Sequence, residues 1–184
     1  MILTTTLWLP ILLSAVFVFV ASAIVWMELP HHRNEWKGLA NEEAARAALK
    51  GIAPGQYVLP WCPPERMKDP EYLKKREEGP TAWLTVVRPG VRGMGGQFVL
   101  SFIYYIFVSG VAAYVAGRTL GAGAPYLQVF RVVGTVSWVA YGWSGISDAI
   151  WFGKPWGSVV KHLGDALFYA LVTAGTFGWL WPEM

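Results

Sequence analysis

Four long apolar runs alternate with polar connections along this chain: Leu7 to Met27, Gln97 to Ala116, Leu127 to Trp151 and Val159 to Trp181. Each holds about 20 residues or slightly more, the length of helix that crosses roughly 30 Å of hydrocarbon. The pattern predicts an all-α membrane protein with four transmembrane helices and a small cytoplasmic α+β insert between the first two. Residues 1–29 form the first helix, residues 30–96 the insert and residues 97–184 a three-helix transmembrane region. Ala21-Ser22-Ala23 has the small-x-small look of a cleavage site. No Lys or Arg precedes that run, however, and apolar residues continue through Met27, which predicts a signal anchor.

The insert has patterns of its own. Asn41-Glu42-Glu43 followed by AARAALK and Gly51 predicts a short capped helix, with an acceptor at its start, acids in its first turn and glycine past its end. GQYVLP predicts a strand, DPEYLKKREE a helix capped by Asp69 with Pro70 at its first position, and TAWLTVV another strand. About 65 residues bury only a modest core, so the insert is expected to lean on a membrane surface or another protein. Cys62, in PWCPPERM, has no second cysteine and no histidine at ligand spacing, so no role is assigned to it. RPGVRGMGG lacks the Gly-Lys-Ser/Thr ending of a phosphate loop; Arg88 and Arg92 are expected to lie against lipid headgroup phosphates.

Composition strengthens the membrane reading. The chain is 54% hydrophobic and 15% charged, far more apolar than a soluble domain of 184 residues needs. Eleven of its fifteen Lys and Arg lie between Arg33 and Arg92. Arg33 and Lys37 follow the first run, Arg88 and Arg92 precede the second, and Lys154 and Lys161 stand between the third and fourth. All fall on one side, which an excess of cations marks as cytoplasmic, leaving both termini outside. No stretch is basic enough to predict a nucleic-acid partner.

Charges inside the later runs raise the question of chemistry. The charge-free stretch from Val132 to Ser147 has 16 residues, roughly 24 Å of helix, so Asp148 is expected about one turn from the cytoplasmic edge. Asp165 falls at a similar depth, because Ala166 to Pro182 is also free of charge. Helical spacing turns Ser137, Tyr141, Ser144, Asp148 and Trp151 toward protein, and Val132, Val136, Val139, Trp143, Ile146 and Ile150 toward lipid. In the fourth run His162, Asp165, Tyr169, Thr173 and Thr176 form a polar stripe beside Ala166, Ala170, Ala174 and Gly178. Ser109, Ala113 and Gly117 are the matching small-residue series of the second run, and such series let helices pack closely. The short link from Phe152 to Ser158 is expected to bring Asp148, His162, Asp165, Lys154 and Lys161 together, with His31 and His32 at the same depth. The expected role of this cluster is structural, acids and lysines fastening a helical hairpin, with no metal or cofactor. The alternative is that its histidines and acids hold a metal or clasp a haem iron.

LPHHRNEWKGLANEEA, APGQYVLPWCPPE, KKREEGPTAWLTV and TAGTFGWLWP together resemble a family of small bacterial four-helix membrane proteins. The resemblance spans most of the chain and implies a bacterial inner membrane and nothing more specific; with the cation count, that membrane makes the termini periplasmic and residues 30–96 cytoplasmic. It supplies no catalytic residue or ligand. The functional expectation is a structural or accessory subunit of a larger membrane complex, not an enzyme. Its partners would be other integral membrane proteins and membrane lipids, in a homo- or hetero-oligomer. One alternative is a small transporter or channel, against which the long charge-free stretches and the lack of a visible repeat argue. The other is a membrane redox protein with haem or metal at the cytoplasmic interface.

Overall fold

The structure, a computed structural model, describes residues 2, 4–90 and 93–183. It is mostly helical: α1 Trp8–Met27, α2 Glu42–Leu49, α3 Pro70–Glu78, α4 Gly95–Thr119, α5 Tyr126–Gly142, α6 Ser144–Phe152 and α7 Trp156–Trp179, with strands β1 Gly55–Leu59 and β2 Ala82–Val86. The chain divides into two compact units, Met1–Trp36 with Gly93–Met184, and Lys37–Arg92.

In the first unit α1 packs on α4 and α7, and α5 packs on the same two, so the four long helices close into a bundle. Small residues set the approach of α5 to α7. A Cβ added at Gly142 would stand 2.7 Å from the Ala166 Cβ, and one at Gly134 would stand 3.3 Å from the Ala174 Cβ. Gly178 accommodates the Tyr126 ring in the same way, and Gly117 accommodates the Ile2 carbonyl, which accepts no bulkier neighbour. The bundle interior holds Ala112, Ala113, Ala116, Ala170 and Ala174 beside Ser14, Ser109, Ser137 and Thr173, all buried. Ser14 donates to the Pro10 carbonyl at 2.6 Å, and its oxygen meets Ser109 Oγ at 3.0 Å across α1 and α4, whereas the buried Ser137 hydroxyl has no hydrogen-bond partner among the described residues. Large apolar side chains, among them Val20, Ile24, Val99, Leu100, Ile103, Phe107, Val160 and Leu171, face outward.

Among the described residues, two helical stretches, Thr4–Met27 and Gly95–Thr119, are long and apolar enough to cross a membrane. The third and fourth runs form helices but do not match this length and composition. The third is interrupted: α5 ends at Gly142, and the Ile146 N–H donates to the Trp143 carbonyl at 3.2 Å, three residues back instead of four. Glycine and serine pairs favour such breaks, and here the segment reads Gly142-Trp143-Ser144-Gly145. The break corrects the expected protein-facing stripe. Ser137 is buried, but Ser144, Asp148 and Trp151 beyond the break are exposed. The fourth run, within α7, carries Lys161, His162 and Asp165 in its early turns.

The second unit follows its local signals. Asn41 caps α2 by accepting the Ala44 N–H at 3.1 Å, and Asp69 caps α3 by accepting the Glu71 N–H at 2.9 Å. Strands β1 and β2 pair antiparallel with Gly55 opposite Val86, Tyr57 opposite Leu84 and Leu59 opposite Ala82. None of the described residues of this unit is buried.

Candidate functional site

The site begins where α1 runs out. Its last turn carries Trp26, and after Leu29, in extended conformation, Pro30–His32 make one turn of 3-10 helix closed by the Arg33 N–H on the Pro30 carbonyl at 3.1 Å. Proline suits the first position of that turn because its missing N–H would have no partner there. The Glu35 N–H then donates to the His32 carbonyl at 3.1 Å, which folds Glu35 back beside the histidines. Across from this turn α7 presents Lys161, His162 and Asp165, the last two on one face by their three-residue spacing.

These side chains form a continuous chain in which imidazoles and carboxylates alternate. His31 Nε2 lies 3.0 Å from Asp165 Oδ1, and Asp165 Oδ2 lies 2.7 Å from His32 Nε2. His32 Nδ1 lies 2.8 Å from Glu35 Oε1, and Glu35 Oε2 lies 3.3 Å from His162 Nε2. Lys161 Nζ donates to the His31 carbonyl and stands 3.5 Å from Glu35 Oε1. His32 is the centre of the chain. Its side chain is 6% exposed, and the Trp26 ring stacks on it with centroids 4.0 Å apart and planes 4° apart. Both of its nitrogens face carboxylate oxygens.

Glu35 sits in a balance of opposed effects. Burial alone would raise its carboxyl pKa, but the hydrogen bonds and charges of His32 and His162 outweigh burial and hold it below the ordinary glutamate value. Deeper in α7, the Tyr169 hydroxyl is buried with no hydrogen-bond partner among the described residues, one turn beyond Asp165.

The sequence-derived site residues divide. His31, His32, Lys161, His162 and Asp165 come together. Asp148 and Lys154 do not join them: Asp148 is exposed on α6 and its carboxylate has no partner among the described residues, while its carbonyl accepts the Lys154 N–H at 3.3 Å. The break at Trp143 accounts for this, because it separates α6 from the face that α5 turns to α7. Sequence reasoning missed Glu35 and Trp26; the three-residue step from His32 to Glu35 and the position of Trp26 in the last turn of α1 were the available signals. Arg88 is exposed, and Arg92 lies outside the described residues. Ser109, Ala113, Gly117, Ala166, Ala170 and Ala174 are buried, and Gly178 packs on Tyr126. These small residues thus pack within the bundle.

Comparison with family models, curated proteins and solved structures gives no match for this chain.

Proposed function

We propose that this chain is a four-crossing protein of a bacterial inner membrane that works as an accessory subunit of a larger membrane complex. The observation that carries the reading is the Lys37–Arg92 unit, in which no described residue is buried and Leu39, Leu59, Trp61 and Trp83 stand exposed, Trp61 at 69%. A unit without a core does not hold its fold alone, and tyrosine and tryptophan are the residue types that anchor protein interfaces. A protein partner supplies the missing cover.

The bundle supports the membrane part of this proposal. Its interior is small and hydroxyl-rich and its exterior is large and apolar, the reverse of a helical bundle in water. In this reading α5 with α6, and α7, are the third and fourth crossings, and the cation excess of residues 30–96 supports a cytoplasmic side for that segment and periplasmic termini. Lateral contact falls on the outer face of α4, where Leu100, Ile103 and Phe107 are exposed at three- and four-residue spacing.

The test is site-specific photocrosslinking in living cells, with a photoreactive residue in place of Trp61 or Trp83. The expected result is one protein adduct of discrete mass at both positions, absent when the probe replaces exposed Lys74 on α3. Adducts to lipid alone at positions 61 and 83 would make the membrane surface the cover and overturn the partner reading.

A further inference from the structure

We infer that His31 Nε2, His32 Nε2 and Asp165 form a binding site for a divalent first-row transition-metal ion. The three side chains offer ligand atoms that all lie within 4.8 Å of one another, with Asp165 134 residues from His31 and 133 from His32 in sequence. Two imidazoles and one carboxylate suit zinc or iron, whereas calcium and magnesium require oxygen ligands.

The surroundings meet the demands of such a site. A ligating imidazole generally donates its other N–H to a carboxylate, which fixes the tautomer and aims the free lone pair at the metal. His32 has that partner: its Nδ1 lies 2.8 Å from Glu35 Oε1. Glu35 is in turn held by His162 and by Lys161, whose positive charge lies beside the Glu35 oxygen and so disfavours a metal on Glu35 itself. This selects between the two triads that share His32, because the other one, His32 with Glu35 and His162, would set the ion next to that lysine.

Charge points the same way. Asp165 and Glu35 bring two negative charges and Lys161 one positive, so neutral imidazoles leave one negative charge uncompensated. Its carriers are largely shielded, with side chains 12% and 7% exposed, where an unpaired charge is costly. A divalent cation shared by Asp165 and the two Nε2 atoms offsets that charge. His31, 34% exposed, leaves that side of the site open to solvent for the remaining coordination positions.

The test uses the full chain without a polyhistidine tag, purified in mild detergent and stripped with a chelator. Cobalt(II) is titrated while its visible d–d absorption is followed, and zinc is then added to displace it. The expected result is one equivalent of cobalt displaced by one of zinc. His31→Gln and Asp165→Asn should abolish the absorption, Glu35→Gln should weaken binding by about 10- to 100-fold, and His162→Gln should change it by less than about threefold. His31 is the most exposed ligand, so His31→Gln keeps the test decisive if Asp165→Asn fails to fold. A folded, monodisperse chain that binds no cobalt overturns the site. Binding retained in His31→Gln but lost in His162→Gln overturns this assignment in favour of the other triad.

Discussion

Replacing Asp165 by alanine removes its two bonds to the histidines of the turn after α1 and leaves the contacts that Lys161 and His162 make with that turn. The His32 arm is short, 2.7 Å, and runs between largely buried side chains, so it is worth about 1.5–3 kcal/mol as a charge-assisted bond. The His31 arm, at 3.0 Å, reaches a ring one-third exposed, where solvent screening reduces it to about 0.5 kcal/mol. Asp165→Ala should therefore cost about 2–3.5 kcal/mol, whereas Asp148→Ala, at an exposed carboxylate with no partner among the described residues, should stay within about 0.5 kcal/mol. Sequence reasoning gave the two acids equal structural roles. The structure separates them. Unfolding in detergent with chelator present, so that no ion contributes, measures both. A double-mutant cycle of His32→Ala and Asp165→Ala should give a coupling of about 1–3 kcal/mol. Equal losses for the two aspartates, or a cost below 0.5 kcal/mol for Asp165→Ala, would refute the clasp.

Three further outcomes follow from the same structure. Gly142→Ala drives a Cβ to 2.7 Å from Ala166 and should destabilise by about 1–3 kcal/mol, while Gly110→Ala meets nothing within 4 Å and should be neutral or stabilising, as thermal unfolding of both variants will read. Because the folded-state pKa of Glu35 is depressed, its contribution is fully present above the ordinary glutamate range and is lost as pH falls through the lowered value; Glu35→Gln should flatten that acid limb of the stability profile. An impermeant thiol reagent applied to intact cells should miss Cys62 and label Glu183→Cys, and the opposite pattern would invert the proposed orientation.

The parts of this fold that follow from neighbouring residues were readable in the sequence. Asn41 and Asp69 cap their helices through side-chain acceptors two or three residues from the amides they serve, and β-branched and aromatic residues between turn formers mark β1 and β2, so no distant contact is needed to specify them. The apolar runs likewise announce helices. Distant packing decided the rest. Nothing in the hydropathy of Leu127 to Trp151 marks the break at Trp143; the glycine and serine residues around it do, as does the close seating of Gly142 on Ala166. Depth alone grouped His31, His32, His162 and Asp165, but could not show that Asp165 faces the turn after α1 instead of Asp148's helix. Glu35 was hidden because its role depends on a turn that folds it back onto His32. The small-residue stripes were readable as packing surfaces, yet only the bundle reveals that their partners lie within the same chain.

The central claim, that this chain completes its extramembrane unit against a protein partner, is tested most directly by the mass and composition of the particle extracted from its native membrane. Mild detergent or direct transfer to nanodiscs should yield a defined particle well above the 20.4 kDa chain and its bound lipid or detergent, with a second protein at fixed ratio. Trp61→Ser combined with Trp83→Ser should release that protein and leave the helical bundle folded. A monodisperse single chain in several mild detergents and in nanodiscs, with no protein accompanying it, would contradict the account.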